Sequence, residues 1–185
     1  GDGNQGNGVA VENVSGLRSS ASGAFKEAIA AAIGESGYDV GFTMVNAADF
    51  GVPQKRNRVL FLGVPRGMKV RWPAPTHGRG RPSAHVSVWD AIGDLPQVPA
   101  AGSATEYDHE PVTDYQRAMR DSGRELLNHE APAHDPEVIE KIGATAPGKP
   151  IYPKFKQRIR LHPDQPSPTQ VSGGIRPQYQ FGHPK

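Results

Sequence analysis

The sequence predicts an α/β fold that gives way, part of the way along, to a smaller and more irregular region. Three observations carry this. The runs VAVENV (9–14), YDVGFTMVNA (38–47) and RVLFLGV (58–64) are short, apolar and rich in β-branched or aromatic residues, the pattern of buried strands. Between the first two lies SASGAFKEAIAAAIGESG, which reads as a helix with Phe25, Ile29, Ala32 and Ile33 on one face. After VRWPAPTHGRGRPSA (70–84) prolines become frequent and apolar periodicity survives only in short pieces. Strand, helix, strand, strand is the edge of an α/β sheet.

The local punctuation supports each element. Ser22 is placed to cap the helix, and Gly34 or Gly37 to stop it. Gly51-Val52-Pro53 is a turn signal between the last two strands. The opening GDGNQGNG contains neither a Walker loop nor a strand-anchored G-x-G-x-x-G, and reads as a loop. In the second region, Ser87 caps a short helix with Val88, Ala91 and Ile92 inward. Asp135 caps another, with Pro136 in its first turn and Val138, Ile139 and Ile142 as its stripe. The division falls near residues 72–76, which gives expected domains 1–72 and 73–185.

Composition narrows the function. The 185 residues include 22 Gly and 18 Pro, about a fifth of the chain, so loops and short elements dominate. There is no Cys, which removes disulfides, thiolate nucleophiles and Cys-ligated zinc. No apolar run reaches the roughly 20 residues of a membrane span, and no signal peptide opens the chain. A cytoplasmic location without membrane contact is the expectation. The net charge of +2 is segregated. Gln54 to Arg81 holds eight Lys or Arg and no acid, and Lys149 to Lys185 holds seven against Asp164 alone. Asp90 to Lys141 between them holds twelve acids and four cations. Two basic blocks around an acidic one suit a polyanion, with ordinary surface charge as the competing reading.

Two motifs stand at neighbouring strand mouths: Glu12-Asn13-Val14, and Gln54-x-Arg56-x-Arg58, about 40 residues on. In this order and spacing they resemble the DNA (cytosine-5) methyltransferase family. NAADFGVPQKRNRVLFLG is particularly similar to the family's wording, VWDAIGDLP and NHEAP look like segments that follow in bacterial members, and PSPTQVSGG resembles the stretch carrying a threonine late in the recognition domain. The resemblance runs from about Val9 to the end. It implies the C-terminal part of a Rossmann-like methyltransferase sheet, followed by a small irregular, mostly β target-recognition domain. The family's Phe-x-Gly-x-Gly cofactor loop, Pro-Cys nucleophile segment and closing helices have no counterpart here. The expectation is therefore a catalytically incomplete piece, completed by a missing N-terminal methyltransferase part or by the other subunit of a split enzyme.

The family's reaction adds a thiolate to C6 of a flipped-out cytosine and transfers a methyl group from S-adenosylmethionine to C5. The resemblance assigns Glu12 to the exocyclic amine and N3, with burial at the strand mouth favouring its protonated form. Arg58 is assigned to O2 and to steadying Glu12, and Arg56 to a phosphate beside the flipped base. Asn13 and Gln54 are positioning groups, and Thr169 is assigned to DNA backbone near the target. Read as residues alone, Arg56 and Arg58 are equally a solvated strand end, Glu12 a capping carboxylate and Thr169 a turn residue. Lys154, Lys156, Arg158 and Arg160 alternate, so a strand would put them on one face as a row for phosphates; edge-strand charge is the rival reading. The seven His show no H-x-x-x-H spacing, and no metal is expected. Two further functions stay open: a DNA-binding module without catalysis, and an RNA cytosine methylase. The stretch of about 95 residues from Trp72 to Thr169 favours duplex DNA over RNA.

Overall fold

A computed structural model describes residues 8–14, 24–120, 125–170 and 181–184. The opening glycine-rich segment and Ser22 lie outside the described residues. By contact the chain divides into two compact units: Gly1–Phe50 with Arg56–Ser83, and Gly51–Lys55 with Ala84–Lys185. The second unit thus takes in the loop 51–55, and the first extends past Trp72 to Ser83.

The first unit is built on three strands, β1 (Val9–Val14), β2 (Tyr38–Asn46) and β3 (Asn57–Pro65), in the order β1-β3-β2. β3 is antiparallel to both neighbours, so β1 and β2 run parallel to each other, connected through helix α1 (Ala24–Glu35). The central position of β3 explains its apolar run: Phe61 is fully buried and Val59 is 6% exposed. On that same face an added Cβ at Gly63 would lie 2.8 Å from Ile33 Cγ2, so α1 approaches the strand too closely for any larger residue. The covered stripe of α1 is Lys26, Ile29, Ala30 and Ile33, spaced as one helical face. Phe25 and Ala32, expected on that face, are exposed. Gly37, at φ +93°, follows the helix as its stop, while Gly34 lies inside it. Phe42 and Met44 on β2 are also partly exposed, at 47% and 42%, with Phe42 lying under the Lys26 ammonium at 4.2 Å.

The second unit departs from the expected mostly β domain. Among the described residues it contains helices α2 (Val88–Ile92), α3 (Asp114–Arg120) and α4 (Pro136–Ala144), and one hairpin of β4 (Pro150–Tyr152) and β5 (Phe155–Ile159). Capping side chains explain the helices. At α2, Ser87 Oγ accepts from Asp90 N (3.0 Å) and Asp90 Oδ2 accepts from Ser87 N (2.9 Å). At α3, Thr113 and the buried Gln116 exchange the same pair of bonds, each 3.1 Å. Asp135 precedes α4 without a side-chain cap bond, and Ile139 is 47% exposed rather than inward. Gly182 packs on Ile151 and Ile142 and pairs with Arg160, which makes a small core under the hairpin. A second anchor is the Arg120–Asp94 pair, 2.7 Å apart, with Arg120 stacked 3.7 Å over Tyr107 and donating to His109 O.

Candidate nucleic-acid site at the strand mouths

In the ladder Val14 lies opposite Arg58, so Glu12 and Arg58 share one face, one diagonal step apart. Arg58 Nε approaches Glu12 Oε1 to 2.6 Å. The contact is an ion pair without hydrogen-bond alignment, because buried Nε lacks a hydrogen-bond partner. Arg58 Nη1 donates instead to Asn57 O (2.8 Å). The pair is asymmetric: the Arg58 side chain is 14% exposed and that of Glu12 is 54% exposed. The desolvation of Glu12 expected from sequence is therefore not present within the sheet unit. Asn13, opposite the buried Val59, faces the other side of the sheet from Glu12.

Arg56 is half-buried just ahead of β3 and is fixed through its backbone. Its N donates to Asn46 Oδ1 (3.0 Å), which also accepts from Ala48 N (3.3 Å), and its O accepts from Ala47 N (2.9 Å). Asn46 therefore staples the end of β2 to the start of β3. Sequence reasoning passed over it, although an amide at the end of a strand and before the tight turn Ala47–Phe50 is a capping signal.

The remaining candidates belong to the second unit. Gln54 pairs in parallel with Ser167. Lys55 N donates to Ser167 O (2.8 Å), Ser167 N donates to Pro53 O (2.9 Å), and Thr169 Oγ1 donates to Lys55 O (2.7 Å). The threonine hydroxyl proton thus holds the loop. Gln54 Oε1 is buried without a hydrogen-bond partner among the described residues, an arrangement that costs about 1–3 kcal/mol and is relieved by an incoming donor. On the hairpin, Lys154 and Lys156 are exposed and Arg158 lies 4.7 Å from the Tyr152 ring, which Lys141 also approaches at 4.4 Å. Arg160 breaks the expected row. Its guanidinium donates to the carbonyls of Gly143, Thr145 and His183, so it buttresses the end of α4.

The model of the C-5 cytosine-specific DNA methylase family matches residues 4–174, and the chain belongs to that family. It is 30% identical over 181 residues to the Type II methyltransferase M1.HphI of Haemophilus parahaemolyticus, covering 92% of this chain and 42% of that protein. It is 34% identical over 143 residues to the Type II methyltransferase M.AgeI of Thalassovita gelatinovora, covering 65% and 33%. A crystal structure described as a DNA modification methyltransferase encoded within a prophage (E. coli) shares the fold, with a TM-score of 0.66 at 21% identity over 96% of this chain and 54% of that one. The chain spans less than half the length of these two sequence relatives.

Proposed function

We propose that this chain is the base-holding and DNA-recognising part of a DNA (cytosine-5) methyltransferase acting on a flipped-out cytosine in duplex DNA. The observation that supports it best is the Glu12–Arg58 pair, 2.6 Å apart at the strand mouth, with the carboxylate left half-open. Glu12 accepts from the exocyclic amine and, when protonated, gives a hydrogen bond to N3 of the ring. Arg58 turns its guanidinium toward O2, where negative charge develops as the ring is attacked. Arg56 and the exposed Lys154 and Lys156 take phosphates, joined by Arg158 at the Tyr152 ring. Asn13 and Gln54 are positioning groups, and Thr169 acts on DNA through the loop it holds.

The family's methyl donor is S-adenosylmethionine, and the Phe-x-Gly-x-Gly loop that serves it in the family has no counterpart in this sequence. Without Cys, the covalent step also requires a nucleophile from another segment or subunit. The units serve as catalytic-domain part and target-recognition domain, in a cytoplasmic, nucleoid-associated modification enzyme.

Methyl transfer to duplex DNA, measured after mixing this chain with an N-terminal methyltransferase part carrying the Pro-Cys segment, tests the reading. Transfer that depends on both pieces supports it. No transfer, together with duplex binding by this chain alone, leaves a non-catalytic DNA-binding module.

A further inference from the structure

Among the cations of the sheet unit, Arg58 is paired with Glu12, and Arg66 Nη2 reaches Gly34 O at 3.4 Å. Arg79 and Arg81 differ. Both are exposed, and among the described residues neither has a hydrogen-bonding side-chain partner, an ion pair or a ring contact. Lys69 and Arg71 are exposed as well, but they lie on an extended segment without secondary structure. Arg79 and Arg81 flank Gly80 at the tip of a tightly held turn.

Five backbone donors pin that turn. Gly78 N donates to Ser83 O (2.8 Å), Arg81 N to Gly78 O (3.1 Å) and Ser83 N to Thr76 O (3.2 Å). Thr76 N and His77 N both donate to Asp49 O (3.0 Å each). Gly78 and Gly80, at φ +118° and +73°, supply the left-handed backbone that the turn needs. Asp49 lies in the tight turn whose Ala47 N bonds Arg56 O, so the arginine turn is tied by hydrogen bonds to the strand mouth that carries Arg56.

Two like charges two residues apart on a fixed tip repel each other, and no carboxylate among the described residues offsets them. A polyanion does. Guanidinium groups suit phosphate because they give paired, charge-assisted donors, and a backbone already ordered lowers the cost of binding. We propose that Arg79 and Arg81 form a clamp on duplex DNA backbone phosphates beside the strand mouth. The proposal rests on the reading of this chain as duplex-DNA-binding and adds two residues to its contact surface.

The test is equilibrium binding of a short synthetic duplex by the 185-residue chain over a salt series. Each phosphate contact contributes about 0.9 to the log–log slope, so R79A/R81A should make the slope shallower by roughly 1.8. R79K/R81K should keep the slope, since both charges remain. Matching circular dichroism establishes that the variants fold alike. An unchanged slope in R79A/R81A overturns the proposal alone. A Lys variant whose slope falls as far as that of the Ala variant also overturns it, because the slope loss then does not follow the number of charges on the turn. If the unaltered chain binds no duplex, the wider reading fails and this proposal with it.

Discussion

Arg58 Nε and Glu12 Oε1 meet at 2.6 Å across the β1–β3 ladder, yet the arginine N–H is not aimed at the carboxylate. A half-exposed pair of this kind contributes at most about 1 kcal/mol to stability. Its loss should therefore register in chemistry before it registers in folding.

Glu12→Ala, in the assembled enzyme, should lower methyl transfer by on the order of a hundredfold or more while leaving DNA affinity unchanged. Glu12→Gln should be milder if hydrogen bonding outweighs proton donation. Single-turnover methylation checks both, and near-normal turnover for Glu12→Ala refutes the catalytic assignment.

Arg58→Lys should also impair turnover, because an ammonium cannot keep the planar fork's directions. Arg56→Ala should act elsewhere, weakening DNA binding and reducing the salt slope by roughly one counterion. If neither change has its effect, the roles proposed for Arg58 at the ring and for Arg56 at a phosphate both fall.

Asn46→Ala removes the acceptor shared by Arg56 N and Ala48 N and should cost about 1–2 kcal/mol. Asn46→Asp retains that acceptor and should melt close to the unaltered protein. Thermal unfolding of the pair separates loss of the staple from a general intolerance of substitution.

Arg120→Ala should destabilise the second unit by about 3–5 kcal/mol, because it strands Asp94, which is only 4% exposed. Replacing both by apolar residues of similar volume should cost less than either single change. Denaturant melts decide, and a loss below about 1 kcal/mol for Arg120→Ala contradicts the buried-pair argument.

Ala101→Gly should stabilise by about 0.5–1 kcal/mol. Ala101 sits at φ +59°, where a side chain is strained and glycine is not. A lowered melting temperature would show that the strain is absent.

The sheet was legible because its signals are local: β1, β2 and β3 are apolar runs bounded by turn residues, and Ser87 and Asp135 announce their helices. The Glu12–Arg58 pairing was expected, and the ladder register accounts for it. The α1 face was misread at Phe25 and Ala32, since periodicity gives the shape of a stripe but not which neighbour covers it. Helix α3 was missed although Thr113-x-x-Gln116 is a capping box, because no apolar run follows it. The engagement of Arg160 with three carbonyls was beyond reach, because its partners lie 15 to 23 residues away in sequence. Alternation shows only which face a side chain is on, not what it meets there.

The ladder between Pro53–Lys55 and Ser167 has a consequence for engineering new specificity. The Gln54 end of the Gln-x-Arg-x-Arg motif is grouped with residues that come over a hundred positions later, while Arg56 and Arg58 are grouped with the sheet. A chimera that exchanges only residues 84–185 separates Gln54 and Lys55 from the Ser167 and Thr169 that hold them. Grafts should cross over three times, after residues 50, 55 and 83, so that the five-residue loop travels with its distant partner. Homologous recombination with a single crossover would leave such proteins with a mismatched seam.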